Sequence, residues 1–226
     1  RRASDNLETD IGFLGFVPGL GSPWDEAAAL AHCTSAANAC TVVKWYSQGG
    51  AADITHATPA NQPFLVFDCV GALPCVRGSV TGQQLLGASV TPATGVLSLS
   101  AVGHRTGGIG QCVFVRWAGS TDRIMGVAAN TWQLTAATSF TAPATDGVWH
   151  AAQGVINGAG SVLSIDGVET AGSLTNSVAA GTPGIVTATA PTVCSWGEAI
   201  AWDAYALTSG ERAALTANQR SFGWIP

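Results

Sequence analysis

The chain is 226 residues long and 47% apolar, with nine basic and 14 acidic residues and a net charge of −5. So few Lys and Arg, scattered as they are, cannot form the basic stripe that nucleic acid requires. Mean hydropathy is +0.29, yet no apolar run approaches the ~18 residues of a spanning helix, so no membrane insertion is expected. Charged residues make up only 10% of the chain. Ser, Thr, Asn, Gln, Gly and Ala must therefore cover the surface, which suits an extracellular protein or a subunit buried in an assembly. One domain over 1–226 is expected, because no linker, repeat or heptad interrupts the chain and a sandwich of this size holds one core.

In chain order, Ser22 as N-cap, Pro23 at the first helical position and the acids Asp25 and Glu26 in the first turn predict a short helix over 23–31. Short β-like runs bounded by Gly, Pro, Asn or Asp follow, the signature of an all-β fold. The predicted strands cover 40–46, 64–67, 95–102, 111–117, 123–128, 131–135, 149–156, 161–165, 168–171 and 196–204. In 111–117 large apolar groups alternate onto both faces, which predicts a central strand covered on both sides. Asp166-Gly167 predicts a type I′ hairpin turn, since both central positions need φ > 0. Thr208-Ser209-Gly210-Glu211 is a capping box ahead of a second helix over 212–222.

The six cysteines form an even set. Cys33 with Cys40 and Cys69 with Cys75 are close in sequence and predict short disulfide loops formed in an oxidising compartment. Cys112 and Cys194, each in an apolar run, are the expected third pair, bridging neighbouring strands. No pair has Cys-x-x-Cys spacing, and His32, His56, His104 and His150 do not cluster with them, so no metal is expected. No signal peptide is visible.

Two sets of residues resemble known families. Asp146-Gly147-Val148-Trp149-His150, followed by Ser164-Ile165-Asp166-Gly167-Val168, resembles the Trp-His and Asp-Gly strands of laminin-G-like and concanavalin-like jelly rolls. That resemblance implies an all-β, two-sheet antiparallel jelly-roll sandwich with one or two short helices. The fold carries glycan recognition far more often than catalysis. Arg2-Ala3-Ser4-Asp5, Asp10-Ile11-Gly12, Trp45-Tyr46-Ser47-Gln48-Gly49, Ala57-Thr58-Pro59-Ala60-Asn61-Gln62-Pro63 and the closing run 198–207 make a second set. In that order they are similar to the fungal arabinofuranosidase B family. They resemble still more the arabinofuranosidase-B-like modules of phage head and tail fibres and bacterial surface proteins. Implied partners are host-surface polysaccharide and other virion subunits or copies of this chain; the implied location is a virion surface or the extracellular space. Such modules carry further strand before the Arg-rich opening, so the chain is expected to begin partway into a longer polypeptide. Ser47 and Ala51 stand where the family has polar acids or amides, which leaves that loop less polar.

Retaining glycoside hydrolysis needs two carboxyls roughly 5 Å apart. The family's nucleophile would fall within 123–134 and its acid/base within 190–197, and neither stretch contains a carboxylate. No Gly-x-Ser-x-Gly elbow is present either. No catalytic residue and no cofactor are therefore expected, and Glu198 is expected to anchor a loop or helix. Binding and scaffolding remain. Of eight tryptophans, Trp45, Trp117, Trp149 and Trp202 lie in apolar strands and are expected in the core. Trp24, Trp132, Trp196 and Trp224 sit near loops or element ends. Trp132 is expected to stack on a sugar, with Asn130, Asp122 and Arg123 as polar partners and Trp196 converging on the same cleft. The expected function is a non-catalytic virion-appendage module that binds host glycans. A structural decoration protein and an arabinofuranosidase-like hydrolase are the alternatives, and a Trp132 buried in the core would favour the structural one.

Overall fold

The structure, a computed structural model, describes residues 1–2, 4–11, 25–33, 40–47, 53–71, 73–91, 95–106, 110–117, 123–128, 130–175, 180–187 and 192–225. Helix α1 spans Glu26–Cys33 and α2 spans Ser209–Ser221. The strands begin with β1 (Lys44–Trp45), β2 (Ile54–Thr55), β3 (Phe64–Val70), β4 (Leu73–Gly78) and β5 (Gln84–Leu86). Next come β6 (Leu97–Thr106), β7 (Cys112–Arg116), β8 (Arg123–Ala128), β9 (Thr131–Thr135) and β10 (Ser139–Pro143). The last are β11 (Trp149–Ile156), β12 (Gly158–Ile165), β13 (Val168–Leu174), β14 (Gly184–Thr187) and β15 (Val193–Asp203).

They form two antiparallel sheets, one ordered β1-β2-β5-β14-β7-β8-β9-β10 and the other β13-β12-β11-β6-β15-β4-β3. The expected all-β sandwich is thus observed. β7 lies between β14 and β8 with Cys112 to Val115 all buried, as its two-sided apolar pattern required. Strands β2, β4, β5, β10 and β14 lie outside the predicted runs; Pro74 falls within β4, and Pro143 ends β10, where it is tolerated because β10 is a sheet edge. Asp25 caps α1, its Oδ1 accepting from the Ala28 amide at 2.9 Å; the expected cap Ser22, with Pro23 and Trp24, lies outside the described residues.

Alternation along β6 explains the layers. Leu97, Leu99 and Ala101 point into the inter-sheet core, whereas the equally buried Ser98 and Ser100 point to the opposite face, under α2. Further along the inner face is Gly103, where a Cβ would come within 2.3 Å of the Phe114 ring, so only glycine lets the sheets close there. The three expected disulfides are present. Cys33–Cys40 ties the end of α1 to the start of the first sheet region, and Cys69–Cys75 closes the β3–β4 hairpin. Cys112–Cys194 differs from expectation: it crosses from β7 to β15 and so staples the two sheets, instead of joining neighbours within one.

The Trp-His and Asp-Gly sequences prove to be one device. Asp166 and Gly167 have φ of 53° and 90°, as a type I′ turn requires. From that turn the Asp166 carboxylate accepts the Ala151 amide at 2.8 Å and meets His150 Nδ1 at 2.6 Å. His150 Nε2 faces the Thr145 carbonyl at 2.9 Å. Both ring nitrogens face acceptors, an arrangement that favours the doubly protonated ring over either neutral tautomer. Burial pulls its pKa down, but the Asp166 and Thr145 acceptors outweigh burial and leave it raised.

Candidate functional site

Neither tryptophan proposed for stacking presents a face to solvent. Trp132 is 1% exposed: its ring stacks on Phe114 at 4.0 Å and meets His150 edge-on at 5.6 Å. Trp196 is 0% exposed and its indole N–H donates to the Val113 carbonyl at 3.0 Å. A buried polar indole needs that partner, and the bond pins the ring between the sheets. Asn130, at φ 55°, accepts the Asp146 amide on its side-chain oxygen at 2.9 Å. Asp146 in turn grips the buried Arg105 guanidinium with both oxygens at 2.7 Å, so Asn130 props an ion pair. Arg123 stands opposite Arg116 across β7 and β8, and its burial lowers its pKa. Asp122 lies outside the described residues. The stacking cleft expected from the sequence is therefore filled by the core. Alternation carried the signal, since Trp132 shares a strand face with the core residue Leu134.

A β-bulge redirects the remainder of β15. Trp196 pairs with Gly103 and Glu198 with Val102, leaving Gly197 as an extra residue. Its insertion reverses the phase of the strand: Cys194 and Trp196 face the core before it, and Ala199 and Ala201 after it. Glu198, Ile200 and Trp202 are thereby turned to the outer face, beside α2. Trp224 lies directly over Gly197, where a Cβ would approach its ring to 2.7 Å.

Glu198 holds α2 as expected of an anchoring acid. It accepts from Gln219 at 2.6 Å, and Gln219 also donates to Ser100 and joins Gln153, itself bonded to Thr216. Burial raises the Glu198 pKa, against the pull of its bonds from Gln219 and Ser100. The helix is thus seated by hydrogen bonds rather than by an apolar stripe. Arg212 adds an ion pair to Glu169 on β13 at 2.6 Å.

Between the end of β15 and this fixed helix lies a groove of about 530 Å³ lined by Trp202, Tyr205, Leu207, Glu211, Ala214, Leu215 and Asn218. The groove is shallow and open to solvent along most of its length. Residues 211, 214, 215 and 218 share one face of α2 because they recur at helical spacing. Ala204 turns the chain into the groove wall at φ 60°, a left-handed conformation costly for a residue with a Cβ, and its amide donates to Val96 at 3.0 Å. Buried Ser98 clamps the next turn, donating to the Tyr205 carbonyl at 2.7 Å and accepting the Leu207 amide at 2.9 Å. Tyr205, 45% exposed, then donates its hydroxyl to Glu211 at 2.5 Å. The same Glu211 completes the expected capping box with Thr208. Hydrogen bonds from Tyr205, and then from the Thr208 amide and hydroxyl, hold the Glu211 carboxyl below its usual range. Trp202, expected in the core, is half-buried and forms one wall of this groove.

No protein-family model and no curated protein matches the chain. Solved structures do resemble it. A Trypanosoma rangeli sialidase, complexed with a difluoro-KDN, aligns over 82% of this chain at 14% identity with a TM-score of 0.58. The receptor-binding domain of botulinum neurotoxin type G aligns over 79% at 8% identity and 0.53. The binding domain of paraclostridial mosquitocidal protein 1 aligns over 82% at 11% identity and 0.51. The chain spans only 32% of the sialidase, 51% of the neurotoxin domain and 55% of the mosquitocidal one. At these identities the likeness is one of fold. A second, more apolar hollow of about 410 Å³ is lined by Val70, Val148, Trp149, Trp224 and Ile225 with Gly147 and Gly223. Among the described residues no group of three His, Cys, Asp or Glu is placed to hold a metal, and no helix is long and apolar enough to cross a membrane.

Proposed function

We propose that this chain is a non-catalytic carbohydrate-binding module that holds a sugar in the β15–α2 groove. The observation that carries the proposal is the pairing of Trp202 and Tyr205 with Glu211 and Asn218 on a preset wall. Sugars present a C–H face that packs on aromatic rings and hydroxyls that need carboxylate or amide partners, and the groove offers both kinds of surface. Trp and Tyr supply large rigid contact area at little entropic cost. Fixing Tyr205 through Glu211 and Ser98 lowers that cost further. The fold is shared with a sialidase and with toxin binding domains, which supports a role in recognition. Three disulfides support an extracellular setting. The similarity to arabinofuranosidase-B-like modules supports display on a phage head or tail appendage, with host polysaccharide as ligand and virion subunits or further copies as neighbours.

Against hydrolysis, Glu211 is the one carboxyl among the described groove residues, and the half-buried Glu198 is committed to Gln219 of α2. A purely structural decoration role draws its support from the buried Trp132 and from the second hollow, whose Trp149, Val148 and Trp224 suit a subunit contact. A glycan microarray read with the whole chain separates these roles. Binding that disappears in Trp202→Ala and Tyr205→Ala, both folded by circular dichroism, is the expected outcome. Silence across the array would leave the structural role.

A further inference from the structure

Resting on the glycan-binding reading of the β15–α2 groove, we infer that this site selects uncharged sugars and rejects those bearing carboxylate, sulfate or phosphate groups. The charge lining the groove is negative. Glu211 is the ionised group there, with three donors from Tyr205 and Thr208 aimed at it, and none of the described lining residues is Lys, Arg or His. The basic side chains of α2 are committed elsewhere. Arg212 is buried against Glu169 and the Leu207 carbonyl, and Arg220 reaches over to the Asp166 carbonyl. An anionic sugar is captured by guanidinium or ammonium groups, whose bonds to it are charge-assisted. Here it would meet a fixed carboxylate of like sign with no cation among the described lining residues to offset it.

A neutral sugar meets complementary groups instead. Trp202 and Tyr205 give ring faces, and Leu207, Ala214 and Leu215 give an apolar floor for its C–H edges. Because the Tyr205 hydroxyl spends its proton on Glu211, its oxygen is left to accept from a sugar hydroxyl. Glu211 also accepts from sugar hydroxyls, and the exposed Asn218 carboxamide both donates and accepts. Hydroxyl donors therefore gain from the same carboxylate that repels anions.

The test uses matched pairs: immobilised neutral disaccharides and the same disaccharides oxidised at C6 to uronic acids, with lactose set against 3′-sialyllactose. The whole chain is compared with Tyr205→Ala, Trp202→Ala and Glu211→Gln, the last because glutamine still suits the capping box. Expected is binding to a neutral member that is lost in Trp202→Ala and Tyr205→Ala. Its oxidised partner should bind at least ~10-fold more weakly at low salt, a gap that narrows as salt screens the carboxylate. Glu211→Gln should narrow the gap as well. Equal or tighter binding of the uronic acid or the sialoside, still lost in Trp202→Ala, would overturn the charge selection while keeping the groove as a sugar site. Failure of every sugar, or binding indifferent to both aromatic substitutions, would overturn the groove and the selection together.

Discussion

Trp196 and Trp202 belong to the same strand and to positions of the same parity, yet one is sealed in the core and the other walls an open groove. In an uninterrupted strand they would share a face. The extra residue at Gly197 separates them: before it the even-numbered positions of β15 face the opposite sheet, and after it they face α2. What each half meets also differs. Before the bulge, β15 is held by a disulfide and an aromatic ring; beyond it, by a layer of hydrogen bonds from Ser100, Gln153 and Gln219. Apolar burial fixes the sandwich, and the polar layer fixes where the groove-bearing helix sits.

The largest effect should come from cutting the staple in the buried half. In the chain-entropy model a bridge spanning 82 residues is worth about 4.5 kcal/mol, against about 2.4 kcal/mol for one spanning 7. Denaturant melts of the Cys112→Ala/Cys194→Ala and Cys33→Ala/Cys40→Ala pairs should show that order, and the reverse order would break the contrast. Next, Trp196→Ala should cost about 3–5 kcal/mol, as other large-to-small core changes do. Trp202→Ala should cost no more than about 1–2 kcal/mol, because its ring is only half-buried. Equal midpoint shifts would show that the bulge does not divide the strand energetically.

The acid dependence sharpens the contrast. Glu198 and His150 both have raised pKa values in the fold, from ordinary values of 4.5 and 6.5. A raised folded pKa means that the group's contribution is complete below its unfolded value and is lost as pH rises through the folded one. Stability should therefore decline in two steps on going from acid to alkali, one beginning near 4.5 for Glu198 and one near 6.5 for His150. Glu198→Gln should remove the first step and leave the second, whereas Asp166→Asn should shrink the second alone. Melting temperatures collected across pH would show it, and a single step unaffected by Glu198→Gln would refute the assignment. The smallest effect belongs to Ala204→Gly, which relieves a left-handed alanine and should stabilise by about 1 kcal/mol. The same change should weaken sugar binding by loosening Tyr205.

Much of the sandwich was legible in the sequence because it rests on local rules. Strands β8, β9 and β11 have the limits their alternation and turn residues indicated. The Asp166-Gly167 turn and the Thr208–Glu211 box are short-range chemistry and appear as read. The cysteine pairs followed from spacing, although the partner strands of Cys112–Cys194 did not. The site was not legible for a different reason. Whether a tryptophan is inside depends on what opposes it: Trp132 is admitted because Phe114 settles against Gly103, a contact between distant segments. Trp202 faces outward because of a bulge that no period-two pattern displays. Tyr205 stands just ahead of the recognised capping box, so its proximity to Glu211 was the available signal.

The Cys112–Cys194 staple also governs how the molecule would bear a pull. The cysteines are 82 residues apart, and between them lie β8 to β14, with strands from both sheets. A fully extended stretch of that length would measure roughly 270–295 Å. While the bond is intact, none of it can be paid out under a load applied outside the two cysteines. Any tether carried by this chain is correspondingly short and stiff, and reduction converts it into a long, compliant one.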